Sequence, residues 1–389
     1  MPQLLSFTQN RLSREVMIME SSMKDYTICL PSWSIGEHVL AKVGDICSPF
    51  GSRAVMIGGE HALNAMGAKL SAAVEADGRI RISGPFLYGG EACMENVQAL
   101  ASLPEIQSAD MIFAVGGGKA LDTCKVLGVE LGKKVFTFPT IASTCAATTA
   151  VSILYRSDGQ FDRPFFLPAP AAHAFIDTAV IAAAPTRYMW AGLGDTYAKF
   201  FESTMSSRQD ELCHYHALGV LTSHGCLNPL LKYGVSAMET HRAGLVSAEL
   251  EQVVLTIIVT TGIASILLTA DRIIDYNTGL AHAIFYALTS FPELGIERDH
   301  LHGEVVGFGV LILLLVDGQQ ERFNELYHFN RSVGLPTAIE DIGISESDLS
   351  KVIPRVLEMH DIDHNPYPIT ESMLVNAFEE LKRINTTNK

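Results

Sequence analysis

One carboxylate and two imidazoles stand out in the C-terminal half of the sequence. They are Asp195 in Ala191-Gly-Leu-Gly-Asp-Thr-Tyr-Ala-Lys199, His282 in Gly279-Leu-Ala-His-Ala-Ile-Phe285, and His302 in Asp299-His-Leu-His-Gly-Glu304. Each has an ordinary role open to it. Asp195, following two glycines, can cap an apolar helix. His282, among small and apolar residues, can be a satisfied core histidine, and His302 can cap the apolar helix that follows it. Taken together on separate helices, the three describe a metal site with an open fourth position, an arrangement that polarises a bound oxygen. Spacing along the chain does not choose between these readings, because three helices can place the residues anywhere relative to one another.

A second set of residues describes a nucleotide site. Met111-Ile-Phe-Ala-Val-Gly-Gly-Gly-Lys-Ala-Leu-Asp122 is an apolar run ending in three glycines, and Phe138-Pro-Thr-Ile-Ala-Ser-Thr-Cys145 follows it. Met111 to Val115 predicts a buried parallel strand. Gly116, Gly117 and Gly118 let the backbone turn sharply, and a helix opening near Lys119 aims free N–H groups outward, which suits a diphosphate. The run matches neither the G-x-G-x-x-G fingerprint nor the Gly-Lys-Ser/Thr ending of a P-loop.

The elements that must position these residues fall into two kinds. Strands are expected at Arg53–Gly59, Ile80–Ser83, Met111–Val115 and Lys134–Phe138, with an extended pair around Val151–Tyr155 and Ala174–Asp177. Helices over Glu60–Ala76, Glu91–Leu103 and Ala120–Leu131 separate them. Strands alternating with helical crossovers predict a Rossmann-like parallel sheet covered on both faces. Beyond Ala184-Pro185, where proline suits a first helical turn, β-branched alternation nearly disappears. Helical runs are expected over Met189–Ser206, His214–Tyr233, Leu250–Asp271, Gly279–Ser290 and Glu304–Leu315. The expected plan is an α/β dinucleotide-binding domain over 1–184 and an all-helical metal- and substrate-binding domain over 185–389, with a cleft between them. The opening segment of about 25 residues shows no clear period.

Composition agrees with an enzyme and excludes several other classes. The 389 residues suit two domains, and 48% apolar with 18% charged residues is the balance of a well-buried globular chain. A net charge of −15 argues against nucleic acid and anionic membranes as partners, and a pI near 5.3 fits a soluble cytoplasmic protein. Seven scattered cysteines without a C-x-x-C pair indicate neither a disulfide framework nor a zinc ribbon. Val253–Leu268 and Val305–Val316 fall short of the roughly twenty residues a membrane span needs and are expected to be core helices.

Seven motifs in order give the chain a specific resemblance over roughly residues 35–380. They are Gly-Gly-Gly-Lys-x-x-Asp at 116–122, Pro139-Thr-Ile-Ala-Ser-Thr144, Asp177-Thr, Ala184-Pro-x-Arg187, Gly192-x-Gly-Asp195, Ala281-His-Ala283 and Leu301-His-Gly-Glu304. The sequence resembles the glycerol dehydrogenase branch of the iron-containing (group III) alcohol dehydrogenases, whose two-domain plan is shared with dehydroquinate synthase-like enzymes. The resemblance implies a divalent metal on Asp195, His282 and His302, zinc in this branch and Fe²⁺ in its cousins. It implies NAD or NADP with the diphosphate at Gly116, Gly117, Gly118, Lys119 and Asp122, and with Thr140, Ser143, Thr149 and Tyr155 at the nicotinamide end. It also implies a homo-oligomer, dimer or octamer.

Departures from the family pattern bear on the substrate. Lys199 stands where the wider family has a fourth ligand, a His, four residues after the Asp. Cys145 stands where glycerol dehydrogenases have an Asp resembling a hydroxyl-binding group, and a thiol cannot accept two polyol hydrogen bonds as a carboxylate does. Phe285 replaces the second His of the usual Ala-His-Ala-Ile-His stretch. A subgroup that also carries Thr-Cys-Ala-Ala and Gly-Asp-Thr-x-Ala-Lys resembles hydroxycarboxylate dehydrogenases. The expected activity is therefore hydride transfer between nicotinamide and a small 2-hydroxy/2-oxo acid. The alternative is glycerol or another diol, and a lesser one is a glycerol-1-phosphate dehydrogenase or cyclase. At the adenosine end the first strand closes Ile57-Gly-Gly-Glu60, so only Glu60, one residue late in register, is placed to grip the ribose. With Gly59 in place of a carboxylate, a 2′-phosphate is not repelled.

Overall fold

The computed structural model describes residues 25–387. Six parallel strands form the main sheet in the order β1-β8-β5-β4-β2-β3. They are β1 (Trp33–Ile35), β2 (Arg53–Gly58), β3 (Arg81–Leu87), β4 (Met111–Gly116), β5 (Lys134–Pro139) and β8 (His173–Ile176). The longer helices of this half are α1 (Glu60–Asp77), α2 (Met94–Ala101) and α3 (Gly118–Glu130). β4 lies between β2 and β5 and is buried along its whole length, which is why it reads as an unbroken apolar run.

The pleat divides the sheet between two cores. Met111, Phe113 and Val115 face a cluster that includes Met66 and Leu70 of α1 and the rings of Phe136, Phe138 and Phe175. Ile112 and Ala114 face Leu121 and Cys124 of α3, in a cluster continuous with the core of the helical half. One face of the sheet is thereby sealed by its own helix, while the other belongs to the same core as the C-terminal helices.

Two features differ from the sequence expectation. The extended segments near 151 and 174 do not pair with each other: β6 (Val151–Tyr155) forms an antiparallel hairpin with β7 (Phe161–Phe166), and β8 joins the main sheet between β1 and β5. β7 contains Pro164, which carries no ladder donor and obscures the strand in the sequence. The expected helix over His214–Tyr233 is two helices, α5 (His214–Ser223) and α6 (Asn228–Arg242), parted by a tight turn at His224–Cys226. Pro229 at the start of α6 lacks the N–H needed to carry one helix through.

All described residues after β8 that take regular structure are helical. α4 (Thr186–Ser206), α7 (Ala248–Leu268), α8 (Leu280–Thr289) and α9 (His302–Val316) build the centre, with α10 (Gln320–Val333), α11 (Glu346–Val356) and α12 (Glu371–Thr387) outside them. α7 is longer than its apolar run suggested: by length and composition it could cross a membrane, but most of it is buried inside the protein, so it is a core helix. A single π-helical turn, Thr256–Thr260, interrupts it.

Candidate metal and nucleotide site

Asp195 lies well inside α4, so it is no helix cap; His282 is on the first turn of α8, and His302 is the first residue of α9. One ligand atom from each converges with the others to within 4.8 Å. Asp195 Oδ1 stands 3.8 Å from His282 Nε2 and 3.5 Å from His302 Nε2. His302 is the most open of the three, with a third of its side chain exposed, while His282 is buried. The convergence has a steric cause. An added Cβ on Gly194 would fall on the carbonyl oxygen of Gly303, and one on Gly303 would fall on that of Ala191. Glycines at both positions let α4 and α9 approach backbone to backbone, which carries Asp195 to His302.

Glu202 fixes the orientation of His282. Its Oε2 is 2.6 Å from His282 Nδ1, and its Oε1 accepts the His282 main-chain N–H at 3.0 Å. With Nδ1 donating to a fully buried carboxylate, Nε2 is left as the lone-pair nitrogen that faces Asp195. Burial alone would lower the His282 pKa, but the charge and hydrogen bond of Glu202 outweigh it and raise the value. Burial pushes the Asp195 carboxyl up, and the bond to His302 with the charges of His302, His282 and Lys199 brings it below its ordinary value. A carboxylate and two imidazoles, one held by a buried carboxylate, are a donor set that fits a divalent ion.

In the α/β half, Gly116 closes β4 with φ +154, and its carbonyl accepts the Thr140 N–H at 3.1 Å. A Cβ on Gly117 would press on the Ile141 side chain. Gly117 precedes α3 as its N-cap and has no side chain to cap the helix, and among the described residues no side chain accepts from its first N–H groups. An uncapped helix start behind a glycine turn fits a diphosphate.

Lys119 and Tyr155 come together. The Lys119 ammonium pairs with Glu91 at 2.6 Å and lies 5.0 Å from the centre of the Tyr155 ring. Asp122 and Thr149 form a different group, a buried strap under the hairpin. Asp122 pairs with the buried Lys125 at 2.9 Å and accepts the Ile153 N–H at 3.2 Å, while Lys125 also reaches Thr149 Oγ1 at 3.0 Å and the Val151 carbonyl at 2.7 Å. The Asp122 carboxylate is thus turned toward β6. Thr140 is buried, Ser143 half-buried, and Glu60, the first residue of α1, exposed.

Cys145 lies within electrostatic reach of Asp195. Burial, with the Asp195 charge adding to it, pushes the thiol up to about 12, so it stays protonated. The ring of Phe285 meets His302 edge-on at 4.4 Å, and Tyr286 on the next position packs against Phe161 of the hairpin at 5.4 Å. Lys199 is buried and donates to the Asn277 carbonyl oxygen at 2.5 Å and to its Oδ1 at 2.8 Å.

Sequence reasoning missed Glu202 and Glu304 as supports. Glu202 follows Asp195 by seven residues, two helical turns, so the heptad spacing of two acidic residues on an apolar helix was the available signal. Glu304 accepts the Leu301 N–H at 3.1 Å and lies 2.7 Å from His300 Nδ1, fixing the turn that delivers His302. The contact between the two halves at Thr148 left no signal. Its hydroxyl donates to the Ile258 carbonyl, which lies in the π-turn of α7.

A parallel sheet joined to a helical region, with a carboxylate–imidazole cluster in the helical half and a glycine turn at the end of β4, sets out the fold and the candidate site, and the comparisons make the assignment specific. The family described as iron-containing alcohol dehydrogenase matches residues 31–178. Glycerol dehydrogenase of Thermotoga maritima is 34% identical over 312 residues, covering 78% of this chain and 82% of that protein. Hydroxycarboxylate dehydrogenase A of Escherichia coli K12 is 30% identical over 345 residues, 85% of this chain and 90% of that protein. The crystal structure of a probable glycerol dehydrogenase from Sinorhizobium meliloti superposes with a TM-score of 0.78 at 26% identity, covering 93% of this chain and 99% of that one. The chain belongs to the iron-containing alcohol dehydrogenase family. It is an oxidoreductase acting on alcohol CH–OH groups.

Proposed function

We propose that this protein is a metal-dependent, NAD(P)-linked dehydrogenase interconverting a small polyol of the glycerol type and its carbonyl form. The observation that carries the reading is the convergence of Asp195, His282 and His302 within 4.8 Å. The similarity to glycerol dehydrogenases supports the polyol ahead of the 2-hydroxy acid first expected from Cys145. A small 2-hydroxy acid is the second reading, favoured by the neutral thiol of Cys145 and the apolar edge of Phe285. In this division of labour residues 1–184 hold the dinucleotide and 185–389 the metal and substrate. A cytoplasmic setting and a homo-oligomeric state belong to the same proposal, supported by the acidic composition and the family resemblance.

When bound, a divalent ion at Asp195, His282 and His302 supplies Lewis acidity that lowers the pKa of a substrate hydroxyl, and a nicotinamide dinucleotide supplies the hydride acceptor. The protein's own residues do the rest. Glu202 holds His282 in the tautomer that presents Nε2. The turn at Gly116–Lys119 and the start of α3 offer N–H groups to a diphosphate. Thr140, Ser143 and Tyr155 are assigned to the nicotinamide end, and Thr149 and Asp122 to holding the hairpin there. Phe285, edge-on to His302, gives the metal position an apolar flank. No side-chain nucleophile is required. Gly59 before Glu60 puts no carboxylate at that position to repel a 2′-phosphate, so both NAD and NADP are expected to bind.

The test follows absorbance at 340 nm with NADH and NADPH presented separately to dihydroxyacetone, 2-oxo acids and simple aldehydes. Consumption that stops on chelation and returns with Zn²⁺ or Fe²⁺ is expected, as is loss of metal and activity in Asp195→Ala with dinucleotide binding kept. Full activity in Asp195→Ala overturns the assignment.

A further inference from the structure

Tyr286 follows His282 by four residues on α8, so the two side chains share a helix face, and a helical side chain leans back over the turn before its own. The centres of the Tyr286 and His282 rings are 6.3 Å apart. The Tyr286 ring also packs on Phe285 and on Phe161 of the hairpin, each at 5.4 Å. Tyr155, on the other strand of that hairpin, lies against Lys119 of the glycine turn. Tyr286 thus stands where the helix bearing a candidate metal ligand meets the hairpin of the α/β half.

Its hydroxyl is unlike those of the other well-placed tyrosines. Tyr197, Tyr276 and Tyr327 donate to Asn330, Asp210 and Asn385. Tyr88 and Tyr367, half-buried as Tyr286 is, donate to the Gly90 carbonyl and to Asp317. Among the described residues the Tyr286 hydroxyl has no hydrogen-bond partner. A tyrosine held in place by its ring contacts with its O–H left over presents a fixed donor, and leaving such a group unpaired is costly. The other departures near the metal position, the thiol of Cys145 and the phenyl ring of Phe285, offer a weak donor and none.

We infer that Tyr286 is a specificity-determining residue that reads the hydroxyl beside the reacting carbon: with the reacting oxygen at the Asp195–His282–His302 position, the phenol donates to the neighbouring oxygen of a vicinal diol or hydroxyketone. The inference rests on the dehydrogenase reading of the site. A merely structural Tyr286 would pack its ring on Phe161 and Phe285 and leave that neighbouring oxygen unread.

The experiment is a calorimetric titration of the Zn²⁺-loaded protein with propane-1,2-diol and with butan-2-ol, its isostere in which a methyl group replaces the neighbouring hydroxyl. Oxidation of both by NAD and by NADP is followed at 340 nm alongside. One neutral hydrogen bond predicts about tenfold tighter binding of the diol, falling to near parity in Tyr286→Phe. A structural role would shift both ligands together and leave their ratio alone. Parity in the wild-type protein, or a ratio unchanged in Tyr286→Phe, overturns the inference. Tyr286→Phe keeps the ring and removes a hydroxyl that has no internal partner, so it should fold; a variant that does not fold means that the hydroxyl is held internally, which overturns the inference as well. Turnover of both alcohols without a binding preference sinks the role of Tyr286 and leaves the dehydrogenase reading standing. A preference that Tyr286→Phe abolishes, without any turnover, does the reverse.

Discussion

Glu202 grips His282 twice, accepting its main-chain N–H at 3.0 Å and standing 2.6 Å from its Nδ1. The backbone bond fixes where α8 begins and the side-chain bond fixes which ring nitrogen is free. A single buried carboxylate therefore sets both the position and the tautomer of a candidate ligand. Glu202→Gln keeps the shape and removes the charge, and a loss of about 10- to 100-fold in metal affinity is expected. Competition against a chromogenic chelator measures it, and affinity within twofold of wild type would refute the role.

The approach of α4 to α9 depends on Gly194 and Gly303. Gly303→Ala puts a methyl group on the Ala191 carbonyl and against the Asp195 Cβ. Backbone cannot step aside as a flexible side chain does, so a cost of about 2–4 kcal/mol is expected, with weaker metal binding because Asp195 and His302 part. Thermal unfolding with and without added Zn²⁺ separates the two effects.

Thr148 ties the α/β half to the π-turn of α7 through the Ile258 carbonyl. Thr148→Val keeps the volume and leaves that buried oxygen without its donor. The expected cost is about 1–3 kcal/mol, read as a lower urea midpoint with an unchanged slope. A change in slope instead would mean that the two halves no longer unfold together.

Away from the site, His364 is clamped between Asp210 at 2.6 Å and Asp275 at 3.3 Å, while the Tyr276 hydroxyl donates to the same Asp210 oxygen at 2.9 Å. Burial opposes the imidazolium, but the two aspartates overcome it and raise the pKa from 6.5 to about 9. A raised folded pKa contributes stability that is complete below the unfolded value and lost as pH rises through the folded one. On the order of 3 kcal/mol should disappear between about pH 6.5 and 9. Asp210→Asn should flatten this dependence in unfolding experiments across that range.

Where one residue type has a single physical use, the sequence by itself was decisive. The apolar run of β4 could only be a strand buried on both faces, the three glycines after it only a sharp turn, and the loss of β-branched alternation after Ala184 only a change to helices. These are local properties, set by period, backbone freedom and burial. The Phe161–Phe166 strand escaped because Pro164 hides its pattern, and the break between α5 and α6 because the apolar spacing continues across Pro229. The metal cluster was legible as three residue types, but only the tertiary structure decided that they meet. Its reason is the crossing of α4 and α9 at glycines, a long-range contact that no periodicity records. The structure alone likewise showed Glu202 aiming His282, Asp122 turned toward the hairpin, and Lys199 buried against Asn277. Each depends on what another part of the chain brings to within a few ångströms, and side-chain chemistry takes its meaning from those neighbours.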